Sequence, residues 1–535
     1  MIKNNLALSW RALTIYSSLC LIFCVVLFRI FSIQINDRDF LNSKGKGMLL
    51  ASREVPSLRG GIYDRNNFPL AVSVIQYNLF ALRSFSADDY QAINLITPLK
   101  KTFKEIDDLG RKSLIFSNLD FSQYEQIKNL RIDAIEIESF QKRYYPLGEQ
   151  VAPLIGFAGK DGRGLEGIEN ILNNQLAGIA GKEMITRNAS RKPQVITSVT
   201  PGQTFNLTID SQIQFYTFKH LSRFIIANNA KGGSAVVLDN HSGEILAIAS
   251  YPSYNPNSPS RMIQRNRALV DAFEPGSIIK PLVLAKGIDL GIISLDQVID
   301  TGPGFISLNN RKISDPQNYG QLSFKEIIAK SSQVGASKLA LLIGVDGLTS
   351  GFQSFGLSKP SNLLFPGAAY GTINTRPNIS EHEIASLGFG YNMTASALQI
   401  AQAYSVFANE GYLKNFKMFK DDEEVYKQRV ISKTTASKIL LALESVVSEG
   451  TGNLAAVPGY KVAGKTGTTH KPSARGGYDK SKYISSFAGI APLTSKRLTI
   501  FVSVEEPGLN NYSGGAVAAP LFAAISQDIL NYLDE

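Results

Sequence analysis

From Ala12 to Phe28 the chain carries no charged residue, and after Arg29 the apolar character resumes through Ile30-Phe31-Ser32-Ile33. A helix needs about 20 such residues to cross about 30 Å of hydrocarbon. A cleaved signal peptide would have a shorter apolar core followed by a small-x-small cleavage site, whereas Ser32-Ile33-Gln34-Ile35 is bulky. Residues 12–33 are therefore read as an uncleaved transmembrane anchor. Lys3 and Arg11 precede the span while Arg29, Arg38, Lys44 and Lys46 follow it, so positive charge alone does not orient it. The tail 1–11 has no acidic residue and is read as cytoplasmic, which places everything after about Ile35 beyond the membrane.

The remainder is too long for one small module: 535 residues suggest about three units, and 44% hydrophobic with 19% charged residues is a folding composition rather than a disordered one. The excess of 10 positive charges is small and dispersed, which excludes a nucleic-acid footprint. Cys20 and Cys24, the only cysteines, both lie in the apolar stretch, so a disulfide framework and a cysteine zinc site are excluded. His220, His241, His382 and His470 are scattered without metal-ligand spacing, and neither metal nor cofactor is expected.

Two textures follow the anchor. Within residues 34–203, short apolar alternations mix with helical stretches such as Tyr124 to Leu130 and turns such as Gly159 to Gly164, and no nucleophile, base and donor assemble there. This block is expected to be a non-catalytic, structural or partner-binding module. Residues 204–535 differ. Ser234 to Asp239, a turn through Gly243, and Glu244 to Ala249 read as a β-hairpin; Tyr460 to Thr468, Tyr483 to Gly489 and Arg497 to Val504 read as further strands, and Ala519 to Leu533 as an amphipathic closing helix. An antiparallel sheet built from both ends, with mostly helical residues inserted between, is an α+β architecture.

Candidate chemistry begins at Phe273-Glu-Pro-Gly-Ser277-Ile-Ile-Lys280. A turn at Pro275-Gly276 and an apolar helix after it would put Ser277 in the first turn and Lys280 one turn on, on the same face. A serine hydroxyl becomes a nucleophile only when a base removes its proton, and a lysine serves if burial or a nearby cation lowers its pKa. The spacing alone is unspecific: it recurs at Ser43 to Lys46, which reads as a solvated segment beside the membrane. The second element is Gly464-Lys465-Thr466-Gly467-Thr468. Gly459 through Thr466 also matches the phosphate-loop pattern letter for letter, but that loop must open a helix, and this segment alternates like a strand. On an edge strand, Lys465 and the threonine hydroxyls offer a cation and donors to a carboxylate. Gly467 lets the backbone approach an acyl group, and the Thr468 N–H could stabilise an oxyanion.

Ser-x-x-Lys followed by Lys-Thr-Gly resembles the signature of penicillin-binding proteins and serine β-lactamases. The third family element, Ser-x-Asn, has a literal match at Ser307-Leu308-Asn309 in a turn-rich segment. Ser331-Ser332-Gln333, where two helical stretches meet at a polar turn, is the better choice, with Gln in place of Asn. Further boxes carry the resemblance along nearly the whole chain. They are Arg59 to Arg65 with Pro69-Leu-Ala71, Arg143 to Gly148, Gly164 to Glu169, Tyr251 to Asn257, Asn266-Arg-Ala268, Phe389 to Thr394 and Tyr512 to Pro520. The sequence resembles the class B penicillin-binding proteins, most closely their division-specific transpeptidases.

That resemblance implies a penicillin-binding, serine β-lactamase-like transpeptidase domain, preceded by an elongated mixed α/β pedestal and one membrane helix. It implies that Ser277 attacks the penultimate D-alanine of a peptidoglycan stem peptide with Lys280 as base. Ser331, between Lys280 and Lys465, relays the proton, and the N–H groups of Ser277 and Thr468 form the oxyanion hole. Thr466 and Thr468 hold the terminal carboxylate, Gly467 and Gln333 line the substrate site, and β-lactams acylate Ser277. It further implies a glycosyltransferase partner of the SEDS type, FtsW, other division proteins, and a place at the septum of the inner membrane with the catalytic domain in the periplasm. Three other readings remain. A β-lactamase lacks support, since no Glu-x-x-Leu-Asn element lies between Ser331 and Lys465. An elongation transpeptidase shares all the chemistry, and a catalytically impaired scaffold would keep the fold but lose labelling by penicillin.

Overall fold

The structure is a computed structural model that describes residues 10–35, 37–41, 50–55, 57–107, 112–186, 194–258, 265–360, 363, 365–422, 426–473, 475–494, 497–508 and 511–534. Ser43 to Lys46 and residues 1–9 of the expected tail lie outside them. The chain divides into two compact units, residues 1–58 with 178–202, and residues 59–177 with 203–535.

The first unit holds the helix Trp10–Ile35, two residues longer at each end than the span read from the sequence, with no buried residue. Its 26 residues rise about 39 Å, enough to cross a bilayer. The same unit contains a three-stranded antiparallel sheet of Leu50–Val55, Gly181–Thr186 and Gln194–Thr197, with Gly181–Thr186 in the centre.

In the second unit, residues 59–177 build a sheet around the long strand Pro69–Ala81. Ile135–Tyr144, Ser113–Leu119 and Ile62–Tyr63 each pair with it antiparallel. Helices Ala87–Ile96 and Phe121–Asn129 close a small core of Leu79, Ile93, Ile115, Leu119 and Ile127. Three segments remote in sequence meet at the buried Glu169. Arg59 Nε and Arg143 Nε donate to its carboxylate at 2.8 and 2.6 Å, and Tyr145 Oη donates at 3.3 Å. The boxes at Arg59, Arg143 and Gly164 to Glu169 are thus one buried polar cluster. Asp64 then joins this part to the catalytic part by accepting the Ser211 N–H at 3.0 Å, and Arg65 pairs with Glu244 at 2.9 Å.

Residues 203–535 are built on a five-stranded antiparallel sheet in the order Glu244–Tyr251, Gly232–Asp239, Leu498–Glu505, Tyr478–Ala491 and Ala463–Pro472. Both faces are covered, which is why its inner strands read as unbroken apolar runs. Ala235 and Val237 face the helices Ser211–Ala227 and Ala518–Asp534, while Val236 and Leu238 face the large helical core. The nearly wholly buried helix Ala397–Ala408 lies at the centre of that core, and Lys280–Asp289 and Lys433–Ser448 belong to it. Helix starts follow their caps: Asp210 accepts Gln212 and Ile213 N–H, and Ser323 with Glu326 and Ser396 with Gln399 close capping boxes. The terminal strand runs on to Pro472, so Thr469 to Pro472, read from sequence as lying past the strand, belong to it, and no helix follows Lys465 as a phosphate loop would require. The segment around Ser307-Leu308-Asn309 is not merely turns but a hairpin of Phe305–Leu308 and Arg311–Ser314.

Candidate active site

Ser277 lies in a single 3-10 turn, Gly276–Ile279, and Lys280 is the first residue of the α-helix Lys280–Asp289, so the expected one-turn spacing is realised across a change of helix type. Two glycines let this turn sit where it does. Gly276 has φ +60° and donates its N–H to the Gly390 carbonyl at 3.1 Å. Gly390, in the Phe389 to Thr394 box, has φ +82°, and a Cβ there would lie 2.2 Å from the Gly276 oxygen. Tyr404 Oη donates to the Ile278 carbonyl at 2.7 Å from the central helix. Just upstream, Glu274 accepts from Asn392 N–H and from Tyr478 Oη, both at 3.0 Å, and burial raises its pKa.

The Ser331–Gln333 turn joins helix Phe324–Lys330 to helix Gln333–Ser354. Ser331 is its left-handed residue, φ 59° and ψ 38°. Lys280 Nζ donates to the Ser331 carbonyl at 2.6 Å and to its hydroxyl at 3.1 Å. Lys465 Nζ reaches the same hydroxyl at 3.1 Å from the edge strand and also the Thr466 carbonyl and hydroxyl at 3.2 and 3.3 Å. One serine hydroxyl is therefore shared by the side chains of two lysines that are 1% and 0% exposed. Burial drives the Lys280 pKa well below the usual lysine range; the Lys465 cation adds to this and Asp315 opposes it. Burial pushes Lys465 down to about 7. Ser277 is half-buried, and among the described residues its hydroxyl makes no hydrogen bond. Catalytic contacts often tighten only when substrate arrives.

The edge strand Ala463–Pro472 has a neighbour on one side only. Thr466 bonds Thr451 hydroxyl to hydroxyl at 3.0 Å, and the Thr468 hydroxyl accepts the Gly514 N–H at 2.8 Å. At Gly467 a Cβ would meet Ser486 Oγ at 2.6 Å and Ile278 Cγ1 at 2.9 Å, so glycine lets the Gly276–Ile279 turn pack on the strand. Beyond Thr468, a cavity of about 430 Å³ lies between Glu274, Thr469, His470 and Glu505. Gln333 is half-buried and fixed through its backbone N–H, which donates to Asp315 at 2.5 Å. Asn309 is elsewhere, accepting the His382 N–H at 3.2 Å.

Sequence reasoning missed Asp315, Glu274, Tyr404 and the brace at Gly390. Of these, Glu274 and Gly390 lie inside segments singled out from the sequence, but with no role attached to either. Asp315 is one acidic residue in a turn-rich stretch with no periodicity to mark it.

A buried Ser-x-x-Lys turn, a serine at a helix junction and a Lys-Thr-Gly edge strand on a five-stranded antiparallel sheet define a penicillin-binding transpeptidase fold. The profile described as penicillin binding protein transpeptidase domain matches residues 233–527, and that described as penicillin-binding protein dimerisation domain matches 54–207. The chain belongs to the class B penicillin-binding proteins. Within that class it is 33% identical to the peptidoglycan D,D-transpeptidase FtsI of Buchnera aphidicola subsp. Schizaphis graminum over 99% of this chain and 96% of that one. It is also 33% identical to FtsI of Escherichia coli, over 98% and 92%. Penicillin binding protein 3 of Mycobacterium tuberculosis, solved with aztreonam, superposes with a TM-score of 0.71 at 26% identity, over 90% of this chain and 97% of that structure.

Proposed function

We propose that this chain is a serine-type peptidoglycan D,D-transpeptidase that cross-links stem peptides at the division septum. The observation that carries the reading is the Ser331 hydroxyl, 3.1 Å from both Lys280 Nζ and Lys465 Nζ, beside the turn that presents Ser277. Burial and the Lys465 cation lower the Lys280 pKa, which favours its role as the base that takes the Ser277 proton as Oγ attacks the penultimate D-alanine carbonyl. Negative charge then develops on the carbonyl oxygen, where the Ser277 and Thr468 N–H groups stabilise it. Collapse breaks the C–N bond, and the proton passes through Ser331 to the leaving D-alanine amine. The Thr466 and Thr468 hydroxyls and the Lys465 side chain face the terminal carboxylate, with Gly467 and Gln333 lining the site. An amine from a neighbouring stem attacks the ester carbon, loses its proton to the same relay, and frees Ser277 as the cross-link forms. A β-lactam enters by the same attack and leaves the serine acylated.

The relatives' printed names support the D,D-transpeptidase reading, and the class B architecture supports a module division with a tail at 1–11, an anchor at 12–33, a pedestal at 34–203 and a transpeptidase domain at 204–535. The apolar helix supports a single-pass inner-membrane protein with its catalytic part in the periplasm. A partnership with FtsW follows from the likeness to the division-type relatives and is part of the proposal.

The test is incubation of the full-length protein, in detergent micelles, with a penicillin, followed by intact-mass and peptide analysis beside Ser277→Ala. A lasting adduct on Ser277, absent from the variant, is expected. Absence of an adduct would leave a scaffold, and rapid drug turnover would point to a hydrolase.

A further inference from the structure

Lys280 and Lys465 form no salt bridge among the described residues, although both are buried and share one hydroxyl. The carboxylate that acts on Lys280 is Asp315, which is itself buried and also makes no salt bridge among the described residues. Its oxygens are occupied by the turn next to Ser331. Oδ1 accepts from Gln333 N–H at 2.5 Å and Val334 N–H at 3.1 Å, and Oδ2 accepts from Ser332 Oγ at 2.6 Å. Asp315 is anchored in turn by its own N–H, which donates to the Gly304 carbonyl at 2.9 Å.

Asp315 shares the capping of helix Gln333–Ser354 with Ser332: the Ser332 hydroxyl accepts Gly335 N–H at 2.9 Å, while Asp315 takes the first two helix N–H groups, and these bonds together with the helix N-terminus support its buried carboxylate. No cation pairs with it directly among the described residues. Here it lies beside a site with two lysines and no other described carboxylate acting on Lys280. Lys280 also lines a small apolar cavity with Ile327 and Ile328 from one helix, and Ala336 and Leu339 from the next.

We propose that Asp315 is a positioning residue for the acylation reaction: its carboxylate pins the Ser331–Gln333 turn, and with it the hydroxyl shared by the two lysines, and the turn holds its charge where it acts on Lys280. The proposal rests on the transpeptidase reading given above. Asp315 touches neither Ser277 nor substrate, so its effect passes through Ser331 and Lys280. The anion favours the protonated form of Lys280, against burial and the Lys465 cation. Removing the charge while keeping the shape should therefore extend the neutral, basic form of Lys280 to lower pH. Removing the contacts should misplace the relay.

Two variants separate these effects in the full-length protein. Asp315→Asn keeps an acceptor for the Gln333 and Val334 N–H groups and loses the charge; Asp315→Ala loses both. The acylation rate constant with a fluorescent penicillin, measured from pH 5 to pH 10, should show the acid limb of Asp315→Asn displaced to lower pH. Hydrogen exchange should show the Gln333 and Val334 amides of Asp315→Ala opening at least tenfold faster, with plateau acylation reduced about ten- to a hundredfold. An acid limb that stays in place in Asp315→Asn overturns the charge role. Wild-type acylation and exchange in Asp315→Ala overturn the positioning role. If Asp315→Ala exchanges rapidly throughout and is therefore unfolded, the direction of the Asp315→Asn limb decides. If the wild type itself is not acylated, the transpeptidase reading fails, while local exchange at Gln333 and Val334 still decides whether Asp315 holds the turn.

Discussion

Lys465 shows how one residue trades stability for chemistry. It is wholly buried, and burial lowers its pKa from the ordinary lysine value to about 7. Between about pH 7 and the unfolded-chain lysine value near 10.4, the unfolded state binds a proton that the native state does not. Stability therefore rises with pH across that window, and below it the native state carries the full cost of a buried cation. Methionine has similar length and no charge, so Lys465→Met should remove that cost together with the hydrogen bonds to Ser331 and Thr466. The expected net gain is about 1–4 kcal/mol at pH 6, shrinking toward pH 10, with penicillin labelling lost by at least about a hundredfold. Denaturant unfolding at the two pH values and a labelling time course read both quantities. A variant less stable at both pH values would show that the lysine is structural rather than strained.

At the scale of elements, the candidate site depends on how closely the Ser277 turn Gly276–Ile279 can approach its neighbours. The Gly390 carbonyl accepts the Gly276 N–H at 3.1 Å, and a methyl group on Gly390 would stand 2.2 Å from the Gly276 oxygen and 2.6 Å from its nitrogen. These are backbone atoms and cannot rotate away. Gly390→Ala should therefore displace the turn and slow acylation at least about tenfold. Gly459 provides the control, because its φ of +83° is nearly that of Gly390 at +82° but nothing lies within 4 Å of its Cβ direction. Gly459→Ala should cost only the left-handed strain of about 1–2 kcal/mol, with acylation within about twofold of wild type. Equal acylation defects in the two variants would mean that conformational strain, not the clash, is what matters. The inner strands were legible because their apolar residues are continuous, and the strand that carries Lys465 because its residues alternate. The Cβ contact that makes Gly467 necessary was not, because it depends on Ile278, which sequence places nearly two hundred residues away.

Across the molecule, the anchor and the α+β architecture could be read directly, since hydropathy and periodicity are local properties of a chain, whereas the elements at Ser277, Ser331 and Lys465 were singled out by their resemblance to a family signature. What escaped was long-range polar accounting, as with Asp315, whose partners lie 17 to 19 residues away. Glu169 is the other instance. The sequence marks Arg59, Arg143 and Glu169 only as members of separate boxes, whereas folding brings them into one buried cluster. The two arginine side chains there are only 5% and 6% exposed and Glu169 is fully buried. Arg59 also donates to the Gly162 carbonyl at 3.0 Å and to Asn173 at 3.1 Å, and Arg143 to the Gly60 carbonyl at 2.7 Å. Glu169→Ala would leave those neutral contacts but strand two guanidinium charges, a change that costs about 3–5 kcal/mol in comparable buried pairs. None of these residues contacts Ser277, Lys280, Ser331 or Lys465, so the folded fraction should be acylated within about twofold of the wild-type rate. The expected result is a large fall in unfolding free energy with an unchanged rate of penicillin labelling per folded molecule. A slowed rate in fully folded protein would show instead that this cluster is coupled to the catalytic turn through the joint at Asp64 and Ser211.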